Sequence, residues 1–302
     1  MALDKTELRK VVNNLYTEIQ PYLDECRSIT QNIVPNRGEY DNQKPNEMYA
    51  NYRRMLTNAA DRALSILVQG IMSGLTSKSK AWFRLTVSDF NVENDYEVQT
   101  WLYRTQQRVY RVFAKSNLYG ALKILYKEIA SFGTACALIE YDFKNVIHVT
   151  AMTVGQYALA VNDKGEVDTF VRKFQLSIKQ IVEKFGYNNV GKEIQDAYNR
   201  NRLNEYRVIS HLIQPNYERV YGLHDAKNKP FISVYFTDDN ISKDFLRVSG
   251  YDEFPVVAPR WEVRTTQDSY GTGPGWSVVA TVQETYSKIR EKLKGIQKRI
   301  NP

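Results

Sequence analysis

Cysteine and histidine are scarce in this sequence of 302 residues, and their scarcity removes several kinds of site. The two cysteines, Cys26 and Cys136, are isolated from each other. They therefore make neither a disulfide framework nor a metal site, and a reducing compartment is the default. The three histidines, His148, His211 and His224, have no second ligand at metal-binding spacing and are interpreted as structural residues. The sequence predicts no bound metal and no cofactor.

Long apolar runs and nucleotide-binding motifs are missing as well. No apolar stretch is long enough to span a bilayer, and the N-terminus lacks the apolar core of a signal peptide, so we expect a cytosolic protein without a membrane partner. The absence of a GxxxxGK[S/T] loop argues against a nucleotide-driven motor in this chain. The glycine-rich segment 270–275 lacks the strand that precedes a phosphate-binding loop, and Pro274 has no N–H to donate. A tight turn before a helix explains this segment better.

Acidic residues cluster without the context of a catalytic site. Asp238, Asp239 and Asp244 could bind a cation weakly, as could the acids of segment 89–95, but solvated loop acids are the better interpretation. No Ser/His/Asp or Cys/His arrangement stands in a known catalytic motif. The sequence therefore predicts no catalytic residue and no enzyme activity.

The composition is that of a folded protein with a mild basic excess. Hydrophobic residues make up 43% and aromatics 12% of the chain, which excludes global disorder. Tyrosine occurs 21 times against 12 phenylalanines, a bias that suits subunit interfaces. The net charge of +7 is compatible with a nucleic-acid partner but small for this length, so its placement matters more than its sum.

The periodicity predicts helices, then mixed strands, then a helix, which is an α+β pattern without β-α-β alternation. Helices are predicted over 3–30 with a kink or junction at Pro21, and over 55–75, 94–116, 117–131, 177–186 and 189–200. In the 55–75 helix the predicted apolar stripe consists of Leu56, Ala59, Ala63, Leu67, Ile71 and Leu75. A short strand is predicted at 82–87, and a β-rich region begins after Gly133, with strands near 135–141, 147–151, 167–174, 206–213, 231–236 and 244–248. Segment 162–165 is predicted to be a hairpin turn.

The predicted last helix, from Trp276 to the end, has an apolar face and a strongly basic remainder. Its apolar residues recur every three or four positions, which predicts that this face packs on neighbouring helices. The cations could simply favour the C-terminal end of the helix dipole on a solvated surface. Alternatively, the basic face meets phosphate. Because the chain ends directly after this uncovered helix, we expect the natural protein to continue beyond Pro302.

Several segments, read in order, resemble the head–tail connector (portal) family of short-tailed phages. The similar segments are 33–38, 61–63, 67–76, 82–85, 116–119, 132–135, 163–168, 172–174, 249–255, 260–261 and 270–275. Each also has a local interpretation: Ser116 and Asn117 cap a helix, Gly133 ends one, and Trp82 and Trp261 anchor the core.

The resemblance implies a portal fold, in which an α/β wing is followed by a long stem helix. Residues 1–275 would form the wing, with N-terminal helices over 1–130 and a β-rich α/β part over 131–275. Residues 276–302 would begin the stem helix. The clip, the second stem helix, the tunnel loop and the crown would lie beyond Pro302.

The resemblance also implies a structural role at one vertex of a phage capsid. The subunits would form a ring of about a dozen copies in the virion, assembled in the host cytoplasm. The ring would be a channel for double-stranded DNA during packaging and ejection and a platform for the tail. Its implied partners are the packaging ATPase (terminase), capsid protein, scaffold and tail adaptor proteins.

Stacked rings of basic helices would hold DNA by its phosphates without reading bases. The predicted channel residues are Lys288, Lys292, Lys294, Lys298 and Arg299. At helical spacing Lys288, Lys292 and Arg299 share one face and Lys294 is turned away. Two alternatives are a DNA-binding module that acts as a monomer or dimer through this helix, and a metal-dependent nuclease that uses the acidic loops.

Overall fold

The computed structural model describes residues 4–34, 55–223, 225–237 and 245–300 of the chain. The helices are α1 (Lys5–Glu18), α2 (Gln20–Asn32), α3 (Ala59–Leu75), α4 (Phe90–Glu93), α5 (Tyr96–Lys115), α6 (Leu118–Phe132), α7 (Ile178–Phe185), α8 (Lys192–Asn199) and α9 (Pro274–Ile300). The strands are β1 (Cys136–Asp142), β2 (Val146–Met152), β3 (Tyr157–Val161), β4 (Val167–Ser177), β5 (Tyr206–Pro215), β6 (Phe231–Thr237), β7 (Arg247–Tyr251) and β8 (Val256–Val257). The predicted α+β order is confirmed.

The predicted break at Pro21 is a junction between two helices. α1 ends at Glu18 and α2 begins at Gln20, so Pro21 lies in the first turn of α2. A proline is tolerated there because the N–H that it lacks would have no partner within the helix. At the other end of α1, the Asp4 carboxylate accepts a hydrogen bond from the Thr6 N–H at 2.8 Å and caps the helix.

A five-stranded antiparallel sheet in the order β3-β4-β5-β6-β7 is covered by helices on both faces. On one face, α1 packs Leu8, Val12 and Leu15 against buried strand residues. On the other face, α7 and α8 form a separate cluster with the sheet. α7 is held at its start by a capping box between Ser177 and Gln180. Alternate residues of each strand therefore enter different clusters, as the period of two requires.

The second sheet is three-stranded and antiparallel, in the order β2-β1-β8. Cys136, Leu138, Met152 and Val256 of this sheet join α2, α3 and α6 in the largest core cluster. Ala137 and Val149 pack on α6 in a separate cluster. Both cysteines, Cys26 and Cys136, are buried in the largest cluster, and neither forms a disulfide bond. The predicted hairpin turn joins β3 to β4, and Gly165 adopts a left-handed φ of 79° within it.

The predicted strand at 82–87 is wrong, because this segment is extended but pairs with a side chain instead of a strand. The backbone N–H groups of Trp82 and Phe83 donate to the Tyr110 hydroxyl of α5 at 2.8 and 2.9 Å. That hydroxyl donates in turn to the Phe83 carbonyl oxygen at 2.9 Å. The ring of Phe83 also lies 4.5 Å from the ring of Tyr110. One tyrosine therefore satisfies the backbone groups that a neighbouring strand would otherwise bind.

The predicted apolar stripe of α3 is on the wrong face. The residues of α3 that are fully buried are Leu64 and Val68, whereas the predicted stripe contains Ala63 and Leu67, which are exposed. These two residues line an open apolar groove that α3 shares with α9. Because α3 is apolar over most of its circumference, its periodicity did not single out the face that packs on the core.

Of the two residues predicted to cap α6, only Ser116 bonds to the start of the helix. Ser116 Oγ accepts from the Leu118 N–H at 3.2 Å and caps the helix start. Asn117 makes no cap hydrogen bond and instead pairs with the backbone of Val149 in β2. Its Nδ2 donates to the Val149 carbonyl oxygen at 2.7 Å, and its Oδ1 accepts from the Val149 N–H at 2.9 Å. Gly133 ends α6 with a φ of 89°, as predicted.

The terminal helix and its anchor as candidate functional site

α9 is the longest described helix, and its two halves lie in different environments. Its 27 residues rise over about 40 Å, from Pro274 to Ile300. It starts two residues earlier than predicted, since Pro274 fits the first turn of a helix. The first half packs on α2 and α6, and beyond Tyr286 every residue except the half-buried Ile289 is exposed. The helix is therefore held at its base and projects from the rest of the described chain.

The base of α9 is tied to the end of α6 through one carbonyl group. The Trp276 indole N–H and the Tyr22 hydroxyl both donate to the Phe132 carbonyl oxygen, each at 2.7 Å. Phe132 is the last residue of α6, so its carbonyl has no partner within the helix. Burial raises the pKa of Tyr22 well above its ordinary value, which keeps the hydroxyl protonated and able to donate.

The aromatic rings extend this joint toward the glycine-rich segment. The Tyr22 ring stacks on the Tyr270 ring with centroids 4.8 Å apart and lies 5.6 Å from Trp276. The Tyr270 hydroxyl accepts from the Leu159 N–H at 2.8 Å. One aromatic cluster thus joins α2, β3 and the start of α9.

The glycines at and just before the start of α9 are required by close backbone contact with the end of α6. A Cβ on Gly273 would lie 2.6 Å from the Ile129 carbonyl oxygen, and a Cβ on Gly275 would overlap the Ser131 backbone. The Gly271 N–H donates to Thr134 Oγ1 at 2.8 Å. The space in front of this segment is occupied by α6 and the residues after it. The interpretation as a tight turn before a helix is confirmed.

Farther along α9, polar contacts fix its position against α2. The Gln283 side chain donates to Ser28 Oγ at 3.1 Å. The buried Tyr286 hydroxyl lies 3.4 Å from the carbonyl oxygen of Asn32 and 3.2 Å from that of Thr57. These contacts hold the base of the helix at a second level, about two turns beyond Trp276.

The five predicted channel residues all lie on the projecting half and are exposed, and they are Lys288, Lys292, Lys294, Lys298 and Arg299. Lys288 Nζ lies 2.5 Å from Glu284 Oε1, one turn earlier, so part of its charge is balanced within the helix. The Lys288 side chain lowers the pKa of the Glu284 carboxyl. A regular helix places Lys292 and Arg299 on the face of Lys288, as the spacing predicts.

The apolar face of the projecting half is uncovered within the described chain. Leu293 is 53% exposed, Ile296 45% and Ile300 72%. The prediction that this face packs on neighbouring helices therefore holds only for the first half of α9 among the described residues. The projecting half presents an apolar stripe beside its basic one.

The remaining residues considered for chemistry have structural surroundings where they are described. His211 is buried between strands, and His148 is exposed in β2. Asp95 caps α5 by accepting from the Glu97 and Val98 N–H groups. His224, Asp238, Asp239 and Asp244 lie outside the described residues. Among the described residues no helix is both long enough and apolar enough to cross a membrane.

Sequence reasoning missed the residues that hold α9. Trp261 was predicted to anchor the core, but it is 46% exposed, and its backbone N–H donates to the Gly133 carbonyl oxygen at 2.8 Å. The tryptophan that anchors the structure is Trp276, with Tyr22 and Tyr270. The glycines at 271, 273 and 275 were the available signal, because closely spaced glycines beside a tryptophan mark a close approach of two backbones.

Comparison with known sequences agrees with this arrangement of a two-sheet body and a basic terminal helix. A sequence model of the family described as bacteriophage head to tail connecting protein matches residues 5–302. The chain belongs to this family. It is 32% identical over 288 residues to the probable portal protein of Bordetella phage BPP-1, covering 95% of this chain and 52% of that protein. It is also 32% identical over 300 residues to the portal protein of Salmonella phage epsilon15, covering 99% of this chain and 54% of that protein.

The chain spans about half the length of the curated relatives that it matches. The fold class and the family resemblance inferred from the sequence are confirmed by these matches. The alternative of an unrelated DNA-binding module is not favoured by them.

Proposed function

We propose that this chain is the wing and first stem helix of a portal subunit, a structural component of the virion that has no catalytic activity. Residues 1–275 form the wing and 276–302 begin the stem in this proposal. The observation that carries it is family membership over nearly the whole chain, in relatives named as portal proteins. The subunits assemble as a ring of about a dozen copies at one capsid vertex.

The channel is formed by the basic faces of the stem helices. A ring converts each lysine or arginine of one helix into a circle of positive charge, and successive turns of the helix stack these circles along the axis. Phosphates of double-stranded DNA bind such circles without base-specific contacts, which suits a channel that must pass any sequence. Lys292, Arg299 and Lys288 share one face in this proposal, whereas Lys294 and Lys298 point elsewhere.

The finer partners follow from the same role. In this proposal the terminase docks on the assembled ring. The capsid protein, scaffold and tail adaptor proteins contact the ring during assembly in the host cytoplasm. DNA is packaged through the ring and leaves through it.

Particle mass and symmetry test the ring. We expect native mass spectrometry or negative-stain averages of the full-length protein, with scaffold present, to give a ring with a central hole. A stable dimer that binds DNA and forms no ring under these conditions would contradict the proposal.

Genome retention tests the channel residues. We expect the variant Lys288→Ala/Lys292→Ala/Arg299→Ala to package or retain less DNA while its wing stays folded. The matched control is Lys144→Ala/Lys164→Ala/Lys192→Ala, which removes three exposed cations from other parts of the chain. If the stem variant packages and retains DNA as well as this control, the channel assignment is wrong.

A further inference from the structure

A second basic stripe runs along α5, outside the proposed channel. Arg104, Arg108, Arg111 and Lys115 follow one another at intervals of four, three and four residues. This spacing places them on one face of the helix, in a line about 16 Å long. All four are exposed. Glu97, the acid of α5, lies in its first turn, before the stripe begins.

The opposite face of α5 packs on the rest of the fold, and the basic face is exposed to solvent. On that face, Tyr110 and Phe113 pack on the extended segment at Trp82 and Phe83, with ring centroids of Trp82 and Phe113 6.0 Å apart. Within the part of the chain that the structure describes, none of the four cations has a carboxylate within ion-pair distance. Their charges are therefore not used to hold α5 to the rest of the fold.

The stripe continues into a recess that collects further donors. Lys78, Lys80 and Arg111 line an open depression of about 310 Å³, with the hydroxyl of Tyr119 at its wall. The Tyr119 hydroxyl accepts from the Trp82 indole N–H at 3.3 Å, which leaves its own proton available to another acceptor. Lys78 and Lys80 are exposed. The recess thus holds three cations and one hydroxyl donor.

We infer that the α5 stripe and this recess form a second contact surface for double-stranded DNA, which binds through its phosphates. The spacing of the cations favours DNA as the partner. With about 1.5 Å of rise per residue, the cations recur about every 4.5 to 6 Å along the helix. A duplex presents about one phosphate per 1.7 Å of its axis, so such a line meets several phosphates at once. Three of the four cations are arginines, whose planar guanidinium binds phosphate through two N–H groups.

An acidic protein is a weaker fit to this surface. Protein interfaces have an apolar centre with charges at the rim. Here the large apolar residue, Trp101, lies at the N-terminal end of the stripe, and the residues beside the cations include Gln107 and Ala114. This surface goes beyond the proposed channel and does not depend on it, because the chain can contact DNA here whether or not it forms a ring.

The test is the salt dependence of DNA binding by the full chain. The probe is a duplex of about 30 base pairs, titrated between about 50 and 200 mM chloride. The variant Arg104→Gln/Arg108→Gln/Arg111→Gln/Lys115→Gln removes the stripe, and glutamine retains a helix propensity close to that of arginine. The matched control, Lys144→Gln/Lys164→Gln/Lys192→Gln/Arg200→Gln, removes the same charge from exposed positions elsewhere. Circular dichroism and thermal melting show that each variant is folded.

We expect the stripe variant to bind at least about tenfold more weakly at the lowest salt, with the slope of log K against log salt reduced by about 3. The control changes affinity within about twofold. A stripe variant that matches the control in affinity and slope would overturn the inference. A variant of the stem helix, Lys288→Gln/Lys292→Gln/Arg299→Gln, distinguishes the α5 surface from the proposed channel. If only this variant loses affinity for DNA, the inference of a second surface is wrong and the channel proposal still stands.

Two competitors identify the ligand class. If polyglutamate displaces the duplex as well as unlabelled duplex does, and only when the stripe is present, the partner is an acidic protein and the inference is wrong. Inorganic phosphate and chloride are also compared at the same ionic strength. If phosphate displaces the duplex and chloride does not, the recess is a site for single phosphates and the inference is also wrong. Displacement by unlabelled duplex alone supports it.

Discussion

Trp276 and Phe132 lie 144 residues apart in the chain, and a hydrogen bond of 2.7 Å joins the indole of one to the carbonyl oxygen of the other. This bond, shared with Tyr22 at the same oxygen, links the first turn of α9 to the last turn of α6. The position of the long helix therefore depends on a contact between distant parts of the sequence.

Replacing Trp276 tests the strength of this joint. We expect Trp276→Ala to lower the free energy of unfolding by about 3 kcal/mol, because it removes a packed indole and one of two donors to a helix-terminal carbonyl. The matched control is Trp261→Ala, whose side chain is 46% exposed and for which we expect a change below about 1 kcal/mol. Urea denaturation measures both, and equal losses would contradict the assignment of Trp276 as the anchor.

Two glycines of the same helix should respond oppositely to alanine. A Cβ on Gly275 meets the backbone of Ser131, whereas a Cβ on Gly295 meets nothing within 4 Å. We expect Gly275→Ala to destabilise the fold by about 2 kcal/mol or more, since neither backbone can move without shifting a helix. Gly295→Ala should raise helicity slightly, with a gain of up to about 1 kcal/mol. Thermal melting and circular dichroism measure both effects. The same melting temperature and helicity in the two variants would show that the base of the helix is loosely packed and would contradict the prediction.

Asn117 should stabilise the chain through β2 and not through a helix cap. We expect Asn117→Ala to cost about 1 to 3 kcal/mol, because both backbone groups of Val149 lose their partner. Asn58 precedes α3 without a side-chain cap bond, so Asn58→Ala should change stability by less than about 0.5 kcal/mol. Hydrogen exchange locates the effect: the Val149 amide should lose protection in the Asn117 variant, and retained protection there would refute this role.

Stability should fall as the pH drops below the ordinary titration range of histidine. Burial, and then the charges of Arg172 and Lys184, hold the pKa of His211 well below its ordinary value of 6.5. The folded state therefore binds fewer protons than the unfolded state in this range. The stability that His211 contributes is fully present above about pH 6.5 and is lost progressively as the pH falls below it.

Urea midpoints between about pH 7 and 5 measure this slope, in a range where most carboxyl groups remain ionised. His211→Gln should flatten the slope whatever it does to stability at neutral pH. The control, His148→Gln, replaces an exposed histidine and should leave the slope unchanged. Parallel slopes for all three proteins would show that another group titrates.

Local signals in the sequence were sufficient for much of the fold. Pro21 separates two helices, Gly133 ends one, and the turn at 162–165 joins two strands, because each effect depends on residues that are near one another in the chain. The order of elements and the family resemblance also followed from such signals.

The failures concern contacts between distant residues. α3 is apolar on several faces, and only the position of α6 and α9 decides which face is buried. The extended segment at Trp82 could not be distinguished from a strand, because its partner is the hydroxyl of Tyr110 in a helix. Of two nearby tryptophans, composition could not tell that Trp276 and not Trp261 would pack on Tyr22 and donate to the Phe132 carbonyl oxygen.

The anchoring of α9 at one end makes it a cantilever. From Tyr286 to Ile300 the helix extends about 21 Å without support from the described chain. Ile300 lies about 36 Å along the helix from Trp276, so a tilt of about 5° at the joint of Trp276, Tyr22 and Phe132 would move the tip by about 3 Å. The positions of the cations in the C-terminal half of α9 depend on a few hydrogen bonds at its N-terminal end. A substitution at that end therefore shifts these cations although it replaces none of them.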